Sequence, residues 1–184
     1  MEHFYDEVHG FSDVDLFALY KKMVERFDSG SHFVEVGAFL GKSAVFMGVE
    51  IINSGKNIKF DCVDHWQGSE EHNDNENVNI ETLYEDFLKN IEPVKEVIRP
   101  IKMNSVDASK LYKPNSLDFV FIDASHDEGS VKADLTYWMP RIKDNGVIAG
   151  DDINNAGVAS AVKWFFDTSK LEIIGRQWMV DLGG

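Results

Sequence analysis

Cysteine is almost absent: Cys62 is the only one in 184 residues. No disulfide can form within the chain, and a four-cysteine zinc site is excluded. Basic residues are scarce, with 18 Lys and Arg against 32 Asp and Glu and a formal net charge of −14. Such a chain repels phosphate backbones and anionic lipid surfaces, so neither nucleic acid nor a membrane is expected as partner. No apolar run approaches the roughly 20 residues of a membrane span. The start MEHFYDEVHG has neither a basic stretch nor an apolar core, so it is not read as a signal peptide and a cytoplasmic location is expected. Repeats and low-complexity tracts are also missing. What is present is 43% hydrophobic residues, enough for one sizeable core in a single domain over 1–184.

Strand-like and helix-like segments alternate along the chain. An N-terminal helical segment occupies 1–30: Leu16, Leu19, Tyr20, Met23 and Phe27 recur at helical spacing over 13–28, with Ser12 or Asp13 as cap. Strands are expected at 32–37, 57–64, 94–103, 116–123 and 145–151, with one or two more in 171–182. Helices are expected at 41–55, 79–91, 105–111, 128–142 and 157–169. Pro100 suggests that the third strand ends early or lies near an edge. The alternation specifies an α/β fold: a Rossmann-like, doubly wound, mostly parallel seven-stranded sheet with helices on both faces. Such sheets bind ligands beyond the carboxyl ends of their strands, so the residues just after each strand carry the functional question.

After the first strand the chain reads Glu35-Val-Gly37-Ala38-Phe39-Leu-Gly41-Lys42-Ser43. A glycine turn entering a helix offers free N–H groups and a partial positive charge to an anion. Phe39 stands where a dinucleotide fingerprint needs glycine. Gly41-Lys42-Ser43 matches the end of a phosphate-binding loop, but Val36 holds the first-glycine position, one residue out of register. S-adenosylmethionine is the third candidate, its carboxylate suited to the turn. Glycines that merely shape a tight turn are the plain alternative.

Asp64 ends the second strand about 25 residues past that turn, where nucleotide folds hold ribose hydroxyls. His65 adjoins it. Trp66 can stack on adenine or be a buried loop aromatic. Asn104 and Ser105 follow the third strand and can cap the next helix or reach adenine. Asp123 and His126 follow the fourth strand, and Asp151 and Asp152 the fifth. If those two loops are neighbours, three carboxylates converge. At about 4 Å each like-charge pair costs roughly 4 kcal/mol at an effective dielectric near 20. A divalent cation with oxygen ligands, magnesium or manganese, would offset that. His126 beside such a centre is a candidate general base. Residues 65–78 are polar and could form a lid over the substrate or a solvated loop.

FVEVGAFLGKSA, the strand-end Asp64, LDFVFIDASHDEGSVKADL, and NGVIAGDD followed by GVASAVKWFF together resemble the class I S-adenosylmethionine-dependent methyltransferases over residues 30–182. Within that class the chain is similar to small metal-dependent O-methyltransferases of the macrocin and mycinamicin sugar type. The resemblance implies Asp123, Asp151 and Asp152 as metal ligands, and His126 with Asp123 as the catalytic pair. It also implies a donor site drawn from Glu35, Gly37, Ala38, Phe39, Ser43, Asp64, His65, Trp66, Asn104, Ser105 and Asp123. Phe39 replaces a glycine of the family's usual motif, and a counterpart of the large N-terminal domain of the macrolide sugar enzymes is not expected in these 184 residues. The expected activity is methylation of a hydroxyl on a small-molecule acceptor, assisted by Mg2+ or Mn2+. A homodimer is left open. The alternatives are a phosphotransferase using Gly41-Lys42-Ser43, a non-catalytic module that binds the donor, and a metal-independent methyltransferase.

Overall fold

Side-chain alternation along two strands builds the centre of the molecule. In the computed structural model, which describes residues 1–68 and 78–184, β1 (His32–Val36) and β4 (Leu117–Ile122) lie side by side and are largely buried on both faces. Phe33, Phe119 and Phe121 face one layer, while Val34, Val36, Val120 and Ile122 face the other. β2 (Lys59–Asp64), β3 (Ile98–Lys102) and β5 (Ile142–Gly150) extend the parallel ladder. β7 (Gln177–Asp181) and β6 (Leu171–Ile174) add an antiparallel edge. The order β3-β2-β1-β4-β5-β7-β6 is the expected doubly wound, seven-stranded sheet. α1 (Val14–Arg26), α2 (Lys42–Ser54) and α3 (Leu83–Asn90) cover the phenylalanine face. α4 (Ser105–Ser109), α5 (Glu128–Trp138) and α6 (Ala156–Phe165) cover the valine face.

Local chemistry sets the ends of these elements. Asp13 Oδ1 accepts the Asp15 and Leu16 N–H groups and starts α1. Gly55, at φ +66°, closes α2 in the left-handed region. Asn104 caps α4 by accepting the Asp107 N–H. Several expected bounds shift. The helix expected over 128–142 stops at Trp138, because Pro140 has no N–H to continue it and Met139–Arg141 wind more tightly. The strand expected over 94–103 begins at Ile98, after a tight turn at Glu92–Val94. It does lie at an edge of the sheet, where Pro100 interrupts no second ladder. The segment 171–182 is two strands, turned at Gly175. Helices α3 and α6 are shorter than 79–91 and 157–169. Most of the expected 65–78 lid, residues 69–77, lies outside the described residues. Among the described residues no helix is long and apolar enough to cross a membrane.

Phe119 is 1% exposed and meets Phe33 and Tyr20 edge to face. Phe119→Ala should therefore destabilise the chain by about 3–5 kcal/mol, read as a lowered urea midpoint at unchanged slope.

Candidate active site

Five strand tips are level with one another. The Gly37 N–H donates to the Val63 carbonyl, Asp123 N–H to Val36, Asp151 N–H to Ile122 and Met103 N–H to Asp64. Above these tips, at the point where the strand order reverses, lies a cleft of about 530 Å³. That is a volume suited to a nucleoside-sized ligand. Gly37, Ala38, Phe39, Ser43, Asp64, His65, Asn104, Ser105, Asp123, His126 and Asp152 all border it.

The β1–α2 turn is shaped by close approach. Gly37 has φ +96°, and a Cβ there would overlap the Asp123 carbonyl oxygen. Phe39 has φ +47°, so it keeps the left-handed backbone that a glycine would adopt at this place. That conformation costs a side-chain-bearing residue roughly 1–2 kcal/mol. Asp64 helps to hold it: one carboxylate oxygen accepts the Phe39 N–H at 2.9 Å, the other the Trp66 N–H at 2.7 Å. Trp66 is itself left-handed, with φ +49°. Spare lone pairs on Asp64 remain for further donors. The N-terminus of α2 carries no side-chain cap, which leaves its first N–H groups beside the cleft. Gly41-Lys42-Ser43 lies at that terminus, but position 36 is still buried strand, so no phosphate-wrapping loop precedes it.

Three expected site residues fall elsewhere. Glu35 does not border the cleft, because strand alternation turns it into the α1–α2 layer, 1% exposed. There it accepts the Tyr20 hydroxyl at 3.0 Å and the Ser43 hydroxyl at 2.5 Å, and the Cys62 thiol lies at 3.7 Å. Burial lifts its carboxyl from the ordinary 4.5 to about 7, against those hydrogen bonds. Trp66 is not an adenine platform: it is 3% exposed, donates its indole N–H to the Phe39 carbonyl at 2.7 Å, and packs on Tyr84 and Phe87. Asp151 is not grouped with Asp123. Its carboxylate turns beneath the β6–β7 hairpin, accepting Arg176 at 2.7 Å and Gln177 at 3.1 Å.

Asp152, at φ +57°, borders the cleft, and Arg176 lies 3.7 Å from its Oδ1 as well. Its Oδ2 is 2.8 Å from His126 Nε2, and the ring holds its carboxyl below the usual range. Asp123, His126 and Asp152 each offer a ligand atom within 4.8 Å of the others. Burial, then the charges of Asp151, Asp152 and Glu35, push the Asp123 carboxyl well up, with His126 opposing. This group can accept a cation, with His126 in place of Asp151.

The sequence reading missed Gly10, Phe11, Ser12, Asp134 and Arg176, which also border the cleft. Asp134 carried a readable signal, an acid on the apolar stripe of Val131, Leu135 and Trp138. Arg176 carried none, since its place depends on β7 entering between β5 and β6.

The sequence matches the methyltransferase-domain family over residues 34–153, more than half of the chain. The chain belongs to this family and is a class I S-adenosylmethionine-dependent methyltransferase. No curated protein matches it in sequence. Among solved structures, cofactor-bound Rv0187 from MTB is 12% identical with a TM-score of 0.69, over 97% of this chain and 86% of that one. The O-methyltransferase NovP is 15% identical with a TM-score of 0.67, over 91% and 79%. A Staphylococcus aureus protein assigned as a caffeoyl-CoA O-methyltransferase is 14% identical with a TM-score of 0.65, over 96% and 87%. At these identities the likeness is one of fold.

Glu35 links this site to stability. Because its folded pKa is raised, the protonated acid contributes stability in full below about pH 4.5, and that stability is lost as pH rises through about 7. Glu35→Gln should flatten this dependence and make the chain more stable than wild type at pH 8, by up to roughly 3 kcal/mol in urea unfolding.

Proposed function

We propose that this methyltransferase transfers the methyl group to a hydroxyl of a small molecule, at a divalent-cation site made by Asp123 and Asp152. The observation that carries the reading is the convergence of Asp123, His126 and Asp152 on one side of the cleft, against the Gly37 turn. The fold shared with the O-methyltransferase NovP agrees with it.

The donor would lie along the strand tips. The open N-terminus of α2 suits its carboxylate, and Gly37 lets its chain pass without a side chain in the way. Asp64 would accept the ribose hydroxyls while it holds the Phe39 and Trp66 N–H groups. S-adenosylmethionine brings an activated methyl group, so the protein's part is alignment and removal of one proton. A cation on Asp123 and Asp152 would lower the pKa of a hydroxyl brought to it. His126 takes that proton, its ring oriented by Asp152. Phe11, 62% exposed, and Ser12 line the open side, where an acceptor would enter.

A second role for His126, as third cation ligand, has the same 4.8 Å grouping in its favour. One set of assays separates the two. Methyl transfer to a panel of phenols, sugars and hydroxy acids should stop with EDTA and return with Mg2+. His126→Ala should lower turnover by about 10²–10⁴ while leaving S-adenosylhomocysteine affinity within about threefold. Residual activity in that variant should still respond to Mg2+ if His126 is the base, and lose the response if it is a ligand. Activity that EDTA leaves untouched would end the cation part of the proposal.

A further inference from the structure

The β6–β7 hairpin brings an arginine to the acidic side of the cleft. Gly175, at φ +59°, turns the hairpin against the start of α1, where a Cβ would meet Asp15 Oδ2 at 2.1 Å. The next residue, Arg176, borders the cleft together with Asp123, His126 and Asp152. Its guanidinium holds Asp151 side-on: Nη2 donates to Oδ2 at 2.7 Å and Nε to Oδ1 at 3.3 Å. The same Nε lies 3.7 Å from Asp152 Oδ1 and 3.7 Å from Asp13 Oδ2. Among the described residues no other arginine or lysine pairs with Asp151 or Asp152.

Asp152 is therefore shared between two partners. His126 Nε2 stands 2.8 Å from Oδ2, and Arg176 faces Oδ1. The two differ in how they can answer an incoming cation. A neutral imidazole has a lone pair to offer it, whereas a guanidinium keeps its charge and has no lone pair to give. Nor can Arg176 easily withdraw. Asp151 is buried, and losing its fork would leave that carboxylate an uncompensated charge. A like charge held this close, away from bulk water, opposes a cation on the same carboxylate.

We propose that Arg176 sets the cation affinity of this site, keeping it low by competing with the divalent ion for Asp152. This rests on the cation reading proposed above. Arg176 acts here through Asp152 and is a positioning residue. The sign of its effect separates the two parts it could play. An arginine that only braces the Asp151 turn would, once removed, loosen the site and weaken the ion; a competitor, once removed, lets the ion bind more tightly.

The test is Mn2+ binding to the full chain, followed by the spin-resonance signal of the free ion. Arg176→Gln keeps a hydrogen-bond donor for Asp151 and removes the charge, so it should tighten Mn2+ by about 10- to 100-fold. Arg176→Lys seats one ammonium on Asp151 but cannot fork across to Asp152, so it should fall between wild type and Arg176→Gln. Unchanged or weaker binding in a cooperatively folded Arg176→Gln would overturn the inference. If that variant does not fold, Arg176→Lys decides: affinity no higher than wild type refutes the proposal. Asp152→Asn separates the arginine from the site. If it abolishes Mn2+ binding while Arg176→Gln leaves the affinity unchanged, the arginine's role alone fails. If Asp152→Asn changes nothing, or neither wild type nor Arg176→Gln binds the ion, the cation reading fails and this inference with it.

Discussion

The site depends on one constraint: the tips of the central strands are held level by the last rung of each ladder. Gly37, Asp123, Asp151 and Met103 each donate an N–H to the end of a neighbouring strand. The residues that follow are therefore delivered to one plane, whatever the loops do afterwards. At the centre, the Gly37 backbone lies so close to the Asp123 carbonyl that no side chain fits between them. That contact makes β1 and β4 the two walls of a crevice, and it places the β1–α2 turn beside the acid that ends β4. A crevice opens wherever a parallel sheet reverses its strand order, and this chain shares its fold with chains of 12–15% identity.

A second theme is how an acidic chain tolerates acids at close quarters. Asp151 is neutralised by Arg176 and accepts a further hydrogen bond from Gln177. Asp64 is occupied by two backbone N–H groups. Glu35 is held by hydroxyls and stays easily protonated. Among the described residues Asp123 and Asp134 have no such arginine partner, and burial pushes both carboxyls up. Both border the cleft. Buried acids satisfied by the protein serve the framework, and those left short of a donor or cation face the space where a ligand goes.

The ladder itself was legible in the sequence. FVEV and LDFVFI are mostly apolar runs, each broken by a single acid, Glu35 and Asp118, and a strand buried on both faces looks much like that. Gly37, Asp64, Asp123 and His126 were legible as strand-end residues because parallel strands all deliver their ligand-binding residues to one end. The division of labour between Asp151 and Asp152 was not. Two adjacent acids look alike in a sequence, yet Asp152, at a left-handed backbone position, borders the cleft while Asp151 is buried against Arg176 and Gln177. Trp66 failed as an adenine platform for a related reason: its backbone turn buries the ring against Tyr84 and Phe87, which come from a distant helix.

The sequence by itself determined the elements, their alternation and so the end of the sheet at which chemistry can occur, because periodicity and glycine turns act over a few residues. The tertiary structure alone decided which side chains share a cleft. Arg176 is 53 residues from Asp123 in the chain, and Asp134 is 29 from Ser105. Their proximity depends on strand order and helix rotation, which are set by the packing of the whole core and not by any local run of residues.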